Sequence, residues 1–350
     1  MIKRKVISTL VVLLFLILFV LFANNYLDSY VVRILNLCAI YVVLGLSMNL
    51  INGFTGLFSL GHAGFMAVGA YTTALLTMSP AVKAQNFFMM PLIKPLDSIS
   101  WPFLPALLLA GLLSAFVAFL IGAPVLRLKG DYLAIATLGF SEIIRIIFTN
   151  TQNITNGALG INGIPSTTNL WWSFGAAAFT VIIMILLISS SYGRALKAIR
   201  EDEVAAESMG ISLFKHKVLS FMIGAFLAGI GGGLLGNLLG TIDPLMFRFM
   251  LTFNILLIIV LGGMGSITGT IVSAFIITIA GEALRFLDET MDLGFVVIPG
   301  IAGLRMVVFS GLLIIVVLFF SNGLMGNKEF SLEKIINKFK KKPLEEGGSK

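Results

Sequence analysis

Apolar residues in this chain come in long unbroken runs, near 6–23, 31–51, 58–78, 103–122, 131–149, 173–190, 218–240, 249–263, 266–281 and 304–321. Most of these runs approach the roughly 20 residues that an α-helix needs to cross a bilayer. Hydrocarbon allows only helices and closed barrels, because every backbone group must find its partner inside the protein. The runs are too continuous for the alternation of barrel strands. The expected fold is therefore an all-α integral membrane protein of about ten transmembrane helices. The eighth and ninth runs are short, and Gly262-Gly263-Met264-Gly265-Ser266 between them suits a re-entrant or broken pair near 249–281. One polytopic domain is expected over 1–327. A lysine-rich tail follows over 328–350, either a short helix (Leu332, Ile335, Ile336 and Phe339 at helical spacing) or a disordered segment touching water or lipid headgroups.

Composition strengthens this picture. Of 350 residues, 58% are hydrophobic and 12% charged, against about 45–50% and about 25% in soluble domains. Met1-Ile2-Lys3-Arg4-Lys5 and the run behind it resemble a secretory signal. No small-x-small cleavage site closes that run, and it is longer than an h-region, so an uncleaved first span is expected. The net charge of +7 points to orientation, not to nucleic acid. With ten alternating spans, seventeen Lys and Arg residues fall on one side, among them Lys3, Arg4, Lys5, Arg127, Lys129, Lys215, Lys217 and the tail. Only Lys83, Lys94, Arg248 and Arg285 fall on the other. By the positive-inside rule both termini are then cytoplasmic. Trp101 and the Trp171-Trp172 pair open the fourth and sixth spans, where indoles anchor in the outer headgroup layer. One cysteine, Cys38, excludes an internal disulfide. With only His62 and His216 besides, no metal site is expected. There is no P-loop, not even a Gly-Lys dipeptide, and no Gly-x-Ser-x-Gly with acid and base partners, so no enzymatic activity and no bound cofactor are expected.

Three polar features stand out. The longest inside loop, 193–211, consists of helix formers with alternating charge. Gly210 is placed to end a short helix and Ser212 to cap the next span. Such a helix, with Ala205, Ala206 and Met209 between polar flanks, either docks a partner or is a solvated connector. The segment 49–70 is dense in Gly, Ser, Thr and Asn. It serves either close helix packing or a polar pathway lined or gated by Asn49, Asn52, Ser59 and His62. Glu142 and Arg145 lie three residues apart on one face of the fifth span. An unpaired charge there costs at least about 2.5–3.5 kcal/mol. The two residues therefore pair with each other or with polar groups across the bundle, or they take part in substrate passage.

Several blocks together resemble the branched-chain amino acid permease family of ATP-binding-cassette importers, in particular its LivM-type subunit. Gly45-Leu46-Ser47-Met48-Asn49-Leu50 leads into Gly53-x-Thr55-Gly56-Leu57-x-Ser59-Leu60-Gly61-His62-Ala63-Gly64-Phe65. Leu126-Arg127-Leu128-Lys129-Gly130-Asp131-Tyr132 runs on through Gly139-Phe140 to Glu142-Ile143-Ile144-Arg145. Thr155-Asn156-Gly157-x-x-Gly160-Ile161 and Leu261-Gly262-Gly263-Met264-Gly265-Ser266 follow. Glu203-x-Ala205-Ala206-x-x-x-Gly210-Ile211 resembles the EAA loop of such permeases, with Asp202 and Glu203 side by side at its acidic position.

The resemblance implies an ATPase-coupling loop comprising Arg194, Lys197, Arg200, Glu203, Ala205, Ala206, Glu207, Met209 and Gly210, with Ala206 and Gly210 facing water or the partner. It also implies a prokaryotic inner-membrane location and four kinds of partner: a second homologous permease, two cytoplasmic ATPase subunits that use ATP, an extracytoplasmic substrate-binding protein, and membrane lipids. The implied cargo is a branched-chain or related hydrophobic amino acid, moved by alternating access. Urea, short amides and sugars are the alternatives within the wider family. A stand-alone secondary transporter is the alternative outside it, and would call for more intramembrane carboxylates than Glu142. A membrane-embedded enzyme would call for clustered catalytic side chains at one interface.

Overall fold

The computed structural model describes residues 2–128 and 130–285, with side chains from residue 14, and short or single-residue pieces between 291 and 326. The apolar runs become helices α1 (Ile2–Tyr26), α2 (Ser29–Asn49), α3 (His62–Thr77), α5 (Phe103–Val125), α6 (Asp131–Asn150), α8 (Leu170–Ser189), α11 (Leu213–Leu239), α12 (Phe249–Gly262) and α13 (Ile267–Ala283). Short helices α4 (Pro80–Asn86), α7 (Gln152–Thr155), α9 (Ser191–Glu201) and α10 (Glu203–Ser208) sit in the connections. The tenth expected span and the tail lie largely or wholly outside the described residues.

Side-chain caps set several of these boundaries, each satisfying a backbone N–H that the first helical turn leaves free. Asp28 accepts from Ser29 N, Asn169 from Trp172 N, Ser190 from Gly193 N and Ser266 from Gly269 N.

Helices α2, α3 and α11 form the centre, with α5 packed along α3 and α11. Close approach of α3 and α11 depends on small residues, as expected where lipid supplies no hydrophobic drive between helices. A Cβ on Gly69 would stand 2.1 Å from the Gly229 carbonyl oxygen, and one on Gly232 would stand 2.2 Å from that of Met66. A second apolar cluster joins α1, α2, α8 and α13. The outer faces remain strongly apolar, with Leu112, Phe116 and Leu120 exposed on α5, Ile143 and Ile147 on α6, and Ile185 and Leu186 on α8. A face of this kind is at home in lipid. Among the described residues five helices are long and apolar enough to cross a membrane, and shorter apolar helices stand beside them. The chain is an all-α, multi-pass membrane protein.

The bundle has two distinct ends. One gathers α4, the 151–169 loop and the 240–248 loop. There β1 (Ile161–Asn162) pairs antiparallel with β2 (Thr241–Ile242) in the register Ile161↔Ile242, and the Asn86 side chain bonds both backbone groups of Asn162. Lys83 is buried at this end and donates to the carbonyls of Leu96 and Ile99 at 2.7 and 2.5 Å, which ties the 87–102 segment down. Burial lowers the Lys83 ammonium below its usual range, against a smaller opposing pull from Asp97. Two further strands, β3 (Met291–Asp292) and β4 (Val297–Ile298), pair antiparallel. The opposite end carries α9, α10, residues 50–61 and the turn 263–266.

Helices α12 and α13 are the short pair that the sequence expects near 249–281, 14 and 17 residues, each continuous and meeting at the glycine turn 263–266. The second and third spans join at the same end of the bundle. Helix α2 passes into a π-helical turn, Leu50–Phe54, and residues 55–61 carry no helix before α3 starts at His62, four residues later than the run at 58 suggests.

Candidate functional site

The non-helical segment 55–61 is largely buried, so each of its N–H groups needs a partner. Side chains supply several. Asn52 brackets Ser59 from both sides, its Nδ2 donating to the Ser59 carbonyl at 3.2 Å and its Oδ1 accepting from Ser59 N at 3.3 Å. Leu60 N donates to the Thr137 hydroxyl of α6 at 3.0 Å, and Ala63 N to the Thr252 hydroxyl of α12 at 2.9 Å. The π-helical turn closes with Thr55 N on the Leu50 carbonyl. His62 lies 2.7 Å from the Ser47 hydroxyl. Ser47 spends its one proton on the Leu44 carbonyl, which makes His62 Nε2 the donor. Asn49 reaches a different neighbour. Its Nδ2 donates to the Ser266 carbonyl at 2.9 Å and to the Thr270 hydroxyl at 2.7 Å, and its Oδ1 accepts from Gly265 N at 2.8 Å.

Asn49, Asn52, Ser59 and His62 are thus gathered around the junction of α2 and α3, all buried and all hydrogen-bonded. A cavity of about 170 Å³ lies elsewhere, toward the opposite end, walled by Leu37, Tyr41, Leu235, Ile242, Phe247 and Leu251. Thr137, Thr252, Ser47 and Thr270, which complete the polar network, were not singled out from the sequence. Their signal is an isolated hydroxyl inside an apolar run, which alone does not distinguish them from hydroxyls bonded to their own helix.

Glu142 and Arg145 form the ion pair that their spacing predicts, with Arg145 Nε donating to Glu142 Oε2 at 2.7 Å. Their side chains stay partly exposed, on a face of α6 that also shows Tyr132, Ile135, Ile143 and Ile146. They are not part of the Asn49–His62 network.

The 193–211 loop is two helices, not one. Asp202 ends α9 and starts α10, its carboxylate accepting from Val204 N at 2.8 Å and Ala205 N at 3.0 Å. Of the two adjacent acids, Asp202 is the cap and Glu203 is the ion-pair partner of Lys217 on α11, at 2.5 Å. Helix α9 buries Gly193, Leu196 and Ile199, spaced three apart on one face. It sits close under α8, since a Cβ on Gly193 would stand 2.5 Å from the Ile188 backbone. Tyr192 donates to the His216 carbonyl at 3.0 Å and stacks on the His216 ring; burial pushes its hydroxyl up to about 12. Lys197 stands over the Phe54 ring, Arg200 donates to the Gly53 carbonyl, and Arg194 turns back to Ser191.

Helix α10 closes with the paired bonds of a Schellman turn, Ile211 N to the Ala206 carbonyl and Gly210 N to that of Glu207, with Gly210 at φ +82°. Ala205, Glu207 and Met209 are exposed as expected. Ala206 is not. It is only 4% exposed, because it follows Glu203 by three residues and so shares the face turned toward α9 and α11. Ser212 precedes α11 as expected, but its hydroxyl makes no capping bond.

Comparison with known proteins gives this geometry its context. The family model "Branched-chain amino acid transport system / permease component" matches residues 30–318. LivM of Escherichia coli strain K12, described as a high-affinity branched-chain amino acid transport system permease protein, is 36% identical over 292 residues, 74% of this chain and 64% of LivM. The chain therefore spans somewhat under two thirds of that relative's length. LivH of the same organism is 26% identical over 314 residues, 84% of this chain and 93% of LivH. A probable LivM of Methanocaldococcus jannaschii is 27% identical over 255 residues, 66% of this chain and 74% of that protein. No solved structure matches. The matched region contains the whole α2–α3 junction and both helices of the 193–211 loop, and the chain belongs to the family of permease components of branched-chain amino acid transport systems.

Proposed function

We propose that this chain is a transmembrane permease subunit of an ATP-binding-cassette importer for branched-chain amino acids. It would lie in a prokaryotic cytoplasmic membrane with both termini inside. Its partners would be a second permease of the same family, two ATPase subunits and an extracytoplasmic binding protein. The observation that carries the reading is the α9–α10 unit. It projects from one end of a multi-pass bundle, is rigidly based on α8 and α11, and shows apolar Val204 and Met209 to the outside. A partner that docks there can push on the α2–α3 junction that Arg200 and Lys197 touch, which is what alternating access needs: a two-state element biased from one side. Likeness to both LivM and LivH supports pairing with a second permease.

An apolar cargo is favoured by the 170 Å³ cavity, whose aliphatic and aromatic walls suit a branched side chain and offer little to the hydroxyls of a sugar or the amide of urea. Glu142 and Arg145 keep a role in passage or gating open on this reading, because an ion pair within a span is retained only where something offsets its cost.

The test is co-expression with the ATPases and second permease of the source organism's branched-chain amino acid importer, followed by reconstitution and uptake of labelled leucine with a branched-chain amino acid binding protein. ATP-dependent uptake is expected, and the chain alone should move nothing. Uptake by the purified chain on an ion gradient would establish a secondary transporter instead.

A further inference from the structure

Two apolar anchors, Leu196 and Ile199, fix α9 to the bundle. Arg200, one residue further, divides its guanidinium between two directions. Nε and Nη2 face the exposed Glu201 carboxylate at 3.2 and 2.6 Å, while Nη1 turns inward to the Gly53 carbonyl at 3.0 Å. Gly53 lies at the end of the α2 and π-helical stretch. The last carbonyls of a helix have no helical donor and carry partial negative charge. A cation supplied by another helix satisfies that end.

The contact is also sterically closed. A Cβ on Gly56 would stand 2.8 Å from Arg200 Cγ, one on Gly265 2.7 Å from Arg200 Nη1, and one on Gly53 2.5 Å from Gly265 N. Arg200 therefore fills a slot walled by the π-helical end, the first residues of 55–61 and the α12–α13 turn. Asn49 ties the same parts together one turn further in, through Gly265 N and the Ser266 carbonyl. Lys197 stands over the Phe54 ring at the same end, without a hydrogen bond to it, and the polar contacts to α11 are Glu203 to Lys217 and Tyr192 to His216.

We propose that Arg200 is the positioning residue that transmits movement of the α9–α10 unit to the interior, drawing the α2 end and the α12–α13 turn as one body. This rests on the reading of the loop as the ATPase-docking element. Its role differs from docking: Arg200 faces inward, and its loss should separate ATP hydrolysis from transport.

The test uses the assembled importer in proteoliposomes, with three readouts: ATPase retained on purification, ATP hydrolysed, and labelled leucine taken up with the binding protein. Arg200→Met should retain the ATPase and hydrolyse ATP close to the wild-type rate. Leucine moved per ATP should fall by about ten-fold or more, as expected from losing a charged hydrogen bond. Arg200→Lys should recover most of that ratio, since one flexible donor suffices for one carbonyl. Glu201→Gln should leave the ratio unchanged, because the Gly53 bond does not pass through it. Should Arg200→Met fail to accumulate, Arg200→Gln, polar but too short to reach Gly53, decides in its place. A wild-type ratio in the Met or Gln variant overturns the proposal, and so does a parallel fall of hydrolysis and uptake. A wild-type chain that captures no ATPase refutes the docking reading, and this proposal with it, before any variant is compared.

Discussion

Helices α9 and α10 belong to one short loop and meet at Asp202, yet they are used in opposite ways. Helix α9, basic, turns a full face inward, burying Gly193, Leu196 and Ile199, and sends Arg200 to the π-helical end of α2. Helix α10 buries Ala206 alone and leaves Val204 at 70% and Met209 at 83% exposure. Exposed apolar side chains grouped on a polar loop mark a surface awaiting a partner. On the proposed reading, holding and docking divide at one capping residue: a partner would grip α10 while α9 keeps its packing, and a displacement of the pair would reach the bundle through α9.

The sharpest way to break this contrast is at Ala206, the one fully buried residue of α10. Ala206→Trp places an indole where a methyl group is enclosed by α9 and α11. Over-packing of this kind costs about 1–3 kcal/mol. The expected outcome is a lower thermal midpoint of the purified protein and a displaced α10 that no longer captures the ATPase. The thermal midpoint, with Ala205→Trp on the exposed side as control, measures it. An unchanged midpoint in Ala206→Trp would show that α10 is loose and that its buried face means nothing.

The opposite face sharpens the comparison from outside. Val204→Asp combined with Met209→Asp touches nothing enclosed, so membrane-inserted protein and thermal midpoint should match wild type. Replacing two apolar side chains by carboxylates should weaken ATPase capture by about ten-fold or more, since a few central apolar anchors carry most of an interface's affinity. Capture at the wild-type level would move the docking surface off α10.

Much of this was legible in the sequence, for reasons that particular residues make plain. Long apolar runs are decided by the solvent, so the helices fell close to where the runs lie, and Gly210 ended α10 because a positive φ admits few other residues. Helical spacing put Glu142 and Arg145 on one face and made their pairing one of the open alternatives, and the structure shows that pair. Three things were not legible. The junction at 50–61 and the first turn of α3 depend on Thr137 and Thr252, hydroxyls supplied by helices far along the chain. The inward face of Ala206 depends on where α10 starts, which Asp202 sets by taking the cap. The inward course of Arg200 depends on an orphan carbonyl that exists only because α2 does not continue. Local pattern fixes elements; it does not say which distant element completes a hydrogen bond.

The smallest expected effect is at Gly210, where α10 hands the chain to α11. A Cβ there would meet nothing within 4 Å, so space is not the constraint. The backbone is, because Gly210 holds φ at +82° while its N–H and that of Ile211 close the Schellman turn. A residue with a Cβ in this region costs roughly 1–2 kcal/mol, least for Asn and most for a β-branched side chain. Gly210→Asn should therefore keep near-normal stability, ATPase capture and uptake. Gly210→Val should strain the turn, tilt α10 and weaken capture, while insertion and the packing of α9 survive. Hydrogen exchange at the amides of residues 210 and 211 provides the direct readout, since both are protected only while the turn is closed. Faster exchange in Val but not in Asn would confine the effect to the backbone angle. Equal exchange in both would mean that the turn is held from elsewhere, and the independence of α10 from α9 would have to be given up.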